Sequence, residues 1–216
     1  MRVLSFLIAI GLMMCMSVKA SAQGMVTRKP SKPEPKPLIA KPKPTNTWIA
    51  TSPVGGETDR LPSLEEMAAL GAEAYQRNAY AEALQWCGLA AKQGSGDAQL
   101  ILGDIYLYGK GTEEDHTEAA KWYRKAAGQD VARAQFILAT LLYLGDGVPQ
   151  DYSEAHSWAV KGAEKGDAGA QFLLGEMYAD GNGVPASVEE AAKWYGLSAA
   201  QGNVAAQAAL DELRRE

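Results

Sequence analysis

The sequence predicts an all-α protein built as a solenoid of stacked antiparallel helix pairs, on three observations. The first is a period: Gln99, Gln135, Gln171 and Gln207 stand 36 residues apart, as do Trp86, Trp122, Trp158 and Trp194, and Ala83, Ala119, Ala155 and Ala191. A fixed period of about 20 to 50 residues marks a stacked repeat architecture. The second is apolar spacing within the period. Met67, Leu70 and Ala74 lie on one helical stripe. The third is punctuation, a Gly-x-Gly closing the first helix of each long unit: Gly109-Lys110-Gly111, Gly145-Asp146-Gly147 and Gly181-Asn182-Gly183. Glycine ends helices because it tolerates the left-handed conformation.

The N-terminal part is of a different kind. Arg2 precedes an apolar run from Val3 to Val18, and small residues stand at Ala20 and Ala22. Residues 1–22 therefore read as a secretory signal peptide cleaved after Ala22. The run is shorter than the ~20 residues of a membrane span, so the mature chain is expected to carry none; an uncleaved anchor is the alternative. Cys15 follows Leu12-Met13-Met14, where a lipidated cysteine would need small residues. Residues 23–60 read as a disordered Pro/Lys-rich linker. Pro30, Pro33, Pro35, Pro37, Pro42 and Pro44 fall within it, and proline fixes φ and lacks an N–H. Such a tract extends as a semi-rigid spacer, with Trp48 as its one candidate for a docking contact. Its lysines suit a weak, salt-sensitive contact with an anionic envelope surface.

Residues 61–216 read as the solenoid. The unit 61–94 opens at Pro62-Ser63 before Leu64-Glu65-Glu66, a proline beside a capping residue. Gln76-Arg77-Asn78 turns the chain, and Tyr80-Ala81-Glu82-Ala83-Leu84 opens a second helix. Its pattern of Leu70-Gly71, Ala74, Tyr80, Ala83 and Ala90 resembles a tetratricopeptide unit. Three longer units follow, 97–130, 133–166 and 169–202. Their first helices carry Ala-Gln and then Leu102-Gly103, Leu138-Ala139 or Leu174-Gly175, small residues that admit a neighbouring helix. Their second helices begin Asp115-x-x-Glu118, Asp151-x-x-Glu154 and Ser187-x-x-Glu190, the spacing of a reciprocal capping box. Those helices close near Gly128, Gly166 and Gly202. Val204 to Glu216 starts one more first helix, whose polar outer face would cap the array.

The long units resemble the Sel1-like repeat, a relative of the tetratricopeptide repeat. The clearest copy has Leu174-Gly175, Tyr178, Gly181-Asn182-Gly183-Val184, Glu190-Ala191, Trp194-Tyr195 and Ala199-Ala200; Ser187 stands where Asp115 and Asp151 match the family's aspartate. The resemblance implies a right-handed α-solenoid acting as an adaptor in protein complexes, envelope machinery included. In tetratricopeptide relatives the first helices line the concave face. Here that implies a partner-binding surface of Asp97, Leu100, Asp104, Leu107 and Tyr108, then Arg133, Phe136, Thr140 and Tyr143, then Phe172, Glu176 and Asp180. A protein or peptide partner is the expectation, the competing role of Phe136 and Phe172 being to pack between helices. The repeated tryptophans read as core.

Composition narrows the alternatives. From Leu61 onward 23 acidic side chains face 12 basic ones, a formal charge of −11, whereas phosphate contact needs a basic surface. Nucleic acid is thus not an expected partner. Gly-x-Gly does not read as a phosphate loop, because it follows helices and no Lys-Ser/Thr pair follows it. Cys87 is the one cysteine outside the signal pattern; it reads as a packed thiol, with an intermolecular disulfide as the sharper alternative. His116 and His156 are not repeat-equivalent and lack partners at metal-ligand spacing, and no Ser-x-x-Lys motif is present. Some cysteine-rich relatives have been associated with β-lactam binding or hydrolysis, but their paired cysteines are absent here. The chain is therefore read as non-catalytic and without a cofactor. A peptidoglycan- or glycan-associated envelope module is the main alternative, and the exported product is expected in the periplasm or secreted.

Overall fold

The computed structural model describes residues 62–215. The signal pattern, the Pro/Lys-rich tract and Trp48 lie outside them. Among the described residues there are nine α-helices and no strand. They are α1 (Leu64–Gln76), α2 (Tyr80–Lys92), α3 (Gly96–Leu107), α4 (His116–Gly128), α5 (Ala132–Leu144), α6 (Tyr152–Glu164), α7 (Ala168–Asp180), α8 (Val188–Ala200) and α9 (Val204–Leu213). Odd helices pack antiparallel on the even helices that follow them, and each even helix packs on the next odd one. Odd helices also touch each other, α1 with α3, α5 with α7 and α7 with α9, whereas no two even helices meet to that extent. The odd helices are thus the closer row and form the inner wall of an α-solenoid.

Alanine on the even helices lets them pack closely on their odd partners. Ala83, Ala119, Ala155 and Ala191 are all fully buried. The next buried column is Cys87, Tyr123, Ala159 and Tyr195. The three larger ones face a glycine of the partner helix: a Cβ at Gly103 would stand 2.5 Å from the Tyr123 ring, and one at Gly175 would collide with Tyr195. Cys87 lies against Gly71 in the same way, and burial pushes its thiol up to about 12. Of the tryptophans read as core, Trp86 and Trp122 pack against the buried cluster from its edge. All of them are half-buried, with Lys125 4.0 Å over Trp122 and Lys161 4.2 Å over Trp158, one turn along the same helix.

The repeated glutamine has a task that spans units. Gln99, Gln135 and Gln171 are buried, and each Nε2 donates to a carbonyl at the end of the preceding even helix: Ala91 at 3.1 Å, Ala127 at 3.1 Å and Ala163 at 3.2 Å. Helix C-termini leave such carbonyls without intrahelical partners. Gln207 breaks the series; it is exposed and donates to Asp211.

The caps are half of what the spacing predicts. Asp115, Asp151 and Ser187 accept from Glu118 N, Glu154 N and Glu190 N. The return bond of a capping box is replaced. The amides of Asp115, Asp151 and Ser187 donate instead to Tyr106 O, Leu142 O and Tyr178 O of the unit's own first helix. With those donors satisfied, Glu118 turns to Lys121, Glu154 to Arg124, and Glu190 to Lys193. The full reciprocal box is at Ser63–Glu66. Likewise the position equivalent to Gly166 and Gly202 is Asp130, left-handed at φ 66, while Gly128 is the last residue of α4.

Candidate protein-binding surface

The twelve residues expected on the inner wall all lie on odd helices or at their C-terminal ends, and none is fully buried. Asp97, Tyr108, Arg133 and Asp180 are exposed; Leu100, Asp104, Leu107, Phe136, Thr140, Tyr143, Phe172 and Glu176 are half-buried. Their tasks divide. The Asp104 carboxylate accepts from the Tyr123 hydroxyl at 2.6 Å, and Glu176 accepts from Tyr195. Burial pushes the Asp104 carboxyl upward, against the pull of that hydroxyl, Arg133 and Lys110. Thr140 occupies the same column and donates to its own helix at Phe136 O, 3.0 Å away. Phe136 sits where a Cβ at Gly169 would come within 2.7 Å of its ring, and Phe172 lies 5.7 Å from Tyr195. These residues shape the wall by fastening it to its neighbours.

Two cations remain on the wall. The Arg133 guanidinium lies 5.4 Å over the Phe136 ring. Lys110 donates to the Tyr75 hydroxyl at 2.7 Å, with the Tyr75, Tyr108 and Tyr80 rings at 4.5, 5.2 and 5.7 Å. Neither forms an ion pair among the described residues. Both lie within electrostatic reach of Asp104 and bear on the same wall as exposed Tyr108.

Lys110 and Tyr75 were absent from the expected surface, and the reason they meet lies in the Gly-x-Gly loops. The middle residue of each loop reaches back to the preceding unit. Lys110 reaches the Tyr75–Tyr80 pair, Asp146 reaches His116 at 2.5 Å, and Asn182 reaches the Tyr143 hydroxyl at 2.9 Å. The second glycine permits this approach. A Cβ at Gly111 would stand 2.7 Å from Tyr80 Cβ, and one at Gly147 or Gly183 would strike the backbone of His116 or Tyr152. All three glycines are left-handed as well. The signal was available in the sequence: Tyr80, His116 and Tyr152 are 36 apart and vary in step with the middle residue of the loop.

The two histidines lie in separate surroundings. His116 bridges Asp146 and Glu114. His156 sets its ring edge-on to Tyr178 at 5.6 Å, and burial lowers its pKa. Among the described residues no three His, Cys, Asp or Glu side chains cluster as metal ligands, and no helix is long and apolar enough to cross a membrane. A concavity of about 810 Å³ lies off the inner wall between α8 and α9, lined by Val188, Ala192, Leu197 and Leu210.

An inner wall of first helices, and loops that clamp each unit to the one before, define a helical-repeat solenoid. The Sel1 repeat model matches residues 67–95, 96–131, 132–167 and 168–203, and the chain belongs to the Sel1 repeat family. The first unit, despite its shorter loop, is matched with the others. A Sel1 repeat protein from Oxalobacter formigenes is similar at 34% identity and TM-score 0.64, over 69% of this chain and 63% of that one. A protective antigen of uropathogenic Escherichia coli displaying an SLR fold is similar at 33% identity and TM-score 0.63, over 67% of this chain and 32% of that one. The chain thus spans less than two thirds of either structure. No curated protein matches it. Sel1 repeat proteins typically mediate protein–protein interaction.

Proposed function

We propose that this protein is an exported, non-catalytic adaptor that holds a carboxylate-bearing segment of a protein partner against its inner wall. The observation that carries this reading is the pair of cations, Lys110 and Arg133, each seated on aromatic rings and neither in an ion pair among the described residues. Aromatic contact orders a cation without neutralising it; Lys125 and Lys161 share that arrangement on the even helices, whereas Lys110 and Arg133 bear on the inner wall of a solenoid whose residues from Leu61 onward carry a formal −11. Tyr108 adds exposed ring surface beside them. Aromatic and arginine side chains are the residue types that dominate binding energy at protein interfaces. Export is supported by the charged, apolar and small-residue pattern of residues 1–22; the periplasm is the compartment that this pattern and the spacer behind it suit.

The test is affinity capture from envelope extract with the whole chain, its Lys110→Glu/Arg133→Glu variant, and Lys92→Glu on the exposed end of α2 as control. A partner kept by the wild type and the control but lost by the double variant supports the reading. Equal capture by all three overturns the placement. Charge reversal at Asp104 or Glu176 would be a poor test, because it removes the acceptors of Tyr123 and Tyr195 and disturbs the fold itself.

A further inference from the structure

Of the three junctions made by the Gly-x-Gly loops, one is chemically unlike the others. At the first, a lysine meets tyrosines; at the third, an asparagine meets a tyrosine. Tyrosine, lysine and asparagine do not change charge near neutral pH, whereas histidine does. At the second junction Leu107 stands where Tyr143 does at the third, and the loop instead meets His116, the first residue of α4, in the column of Tyr80 and Tyr152. Its Nδ1 lies 2.5 Å from Asp146 Oδ1 of the next unit's loop, and its Nε2 lies 2.8 Å from Glu114 Oε1 of its own.

We propose that His116, held between Asp146 and Glu114, is a pH-dependent latch that couples the second and third Sel1 repeats. The argument is one of hydrogen counting. An imidazolium has two N–H donors and satisfies both carboxylates. A neutral imidazole has one; the closer Asp146 keeps it, so Glu114 then faces a ring lone pair and is released, and the bond to Asp146 loses its charge assistance. Asp146 is the carboxylate that crosses between units, and the Gly147 backbone rests on that of His116. Weakening the Asp146 bond from a charge-assisted to a neutral one therefore loosens the loop at the point where the two units touch. The groups that bear on the ring are Asp146 across the junction and Glu114 beside it. The hydrogen bond to Asp146 is the larger cause that lifts the His116 pKa above its ordinary value, with burial opposing and Glu114 adding to it. A raised histidine pKa gives charge-assisted coupling that is complete below the unfolded value near 6.5 and lost as pH rises through the folded value.

The chain has two histidines, so an NMR titration of the whole chain resolves the question directly. His116 should titrate with a midpoint above that of His156, whose burial pulls it the other way. Asp146→Asn should lower the His116 midpoint, and Glu114→Gln should lower it less. Hydrogen exchange supplies the coupling readout at the Asp146 amide, which is bonded to Leu141 O. Corrected for intrinsic rate, its protection should fall about 2- to 5-fold between about pH 5.5 and about pH 8 in the wild type, the range of a partly exposed ion pair. Asp146→Asn and His116→Tyr, which copies the other junctions, should show no such fall. A His116 midpoint at or below that of His156 overturns the latch, and so does the same pH dependence of protection in wild type and variants. The wild-type titration alone decides if a variant does not fold.

Discussion

In the fourth unit Gly175 leaves room for the Tyr195 ring, and the Tyr195 hydroxyl reaches the Glu176 carboxylate. In the third unit the same three columns hold Ala139, Ala159 and Thr140. Thr140 closes its hydroxyl on its own helix rather than on a partner. The second unit repeats the fourth with Gly103, Tyr123 and Asp104. The columns therefore change together. A ring on the second helix needs a glycine opposite it and an acid above it, while an alanine needs neither. The wall residues Asp104 and Glu176 are acids because of what lies beneath them, and only secondarily because of what the wall could bind.

Breaking one member of a set should cost more than exchanging the whole set. Ala159→Tyr places a ring against Ala139 in a core where both are fully buried. It should destabilise by about 3 kcal/mol, the upper end of overpacking, in urea denaturation. Adding Ala139→Gly and Thr140→Glu, which completes the set, should recover at least half of that loss. Absence of any recovery would show that the columns are independent.

Gly175→Ala makes the opposite break. The new Cβ meets a buried ring rather than a flexible chain end, and the cost should be about 1 to 3 kcal/mol. Gly196→Ala is the contrast, since its Cβ would meet nothing. That residue lies inside α8, so alanine should stabilise it by up to about 1 kcal/mol. Equal effects at the two glycines would refute the packing argument.

Tyr123→Phe removes the hydroxyl and keeps the ring. Asp104 is then left half-buried without its donor, a loss of about 1 to 2 kcal/mol at neutral pH. Burial already raises the Asp104 pKa, and the lost hydroxyl was the largest opposing influence, so it should rise further. For an acid raised above its unfolded value, protonation favours the folded state. The cost of Tyr123→Phe should therefore shrink as pH falls through the Asp104 titration. A cost that grows in acid would contradict the assignment.

Much of this architecture is legible in the sequence because the repeat supplies its own controls. Residues 36 apart mark columns, and the caps at Asp115, Asp151 and Ser187 stand where the spacing puts them. What periodicity does not carry is direction. Gln99, Gln135 and Gln171 are conspicuous in register, yet their acceptors lie eight residues back, in the preceding helix. The second glycine of each loop looks like helix punctuation, but its Cβ is excluded by a backbone 31 residues away, as at Gly147 and His116. The capping glutamates pair differently from what their spacing predicts for the same reason. A local box and a bond to the first helix compete for one amide, and only the packed pair decides between them. Asp104 and Glu176 looked like surface because alternation along one helix says nothing of a hydroxyl 19 residues downstream.

The smallest effect isolates one atom. Gln99 Oε1 accepts from Gln129 Nε2 at 2.6 Å, and Gln171 Oε1 accepts from Gln201 Nε2 at 2.8 Å. In the third unit Lys165 replaces that donor and turns instead to Asp130, with its carboxylate at 2.6 Å and its carbonyl at 2.8 Å. Gln135 Oε1 is thereby buried with no partner among the described residues. Lys165→Gln restores the donor found in the neighbouring units. The exposed contact it sacrifices is screened by solvent, so the variant should be more stable by about 0.5 to 1.5 kcal/mol. In a Gln135→Leu background there is no orphaned oxygen to satisfy, and the same substitution should give no gain. A gain that persists with Leu at 135 would place its origin at Asp130 and leave the orphaned amide oxygen without energetic consequence.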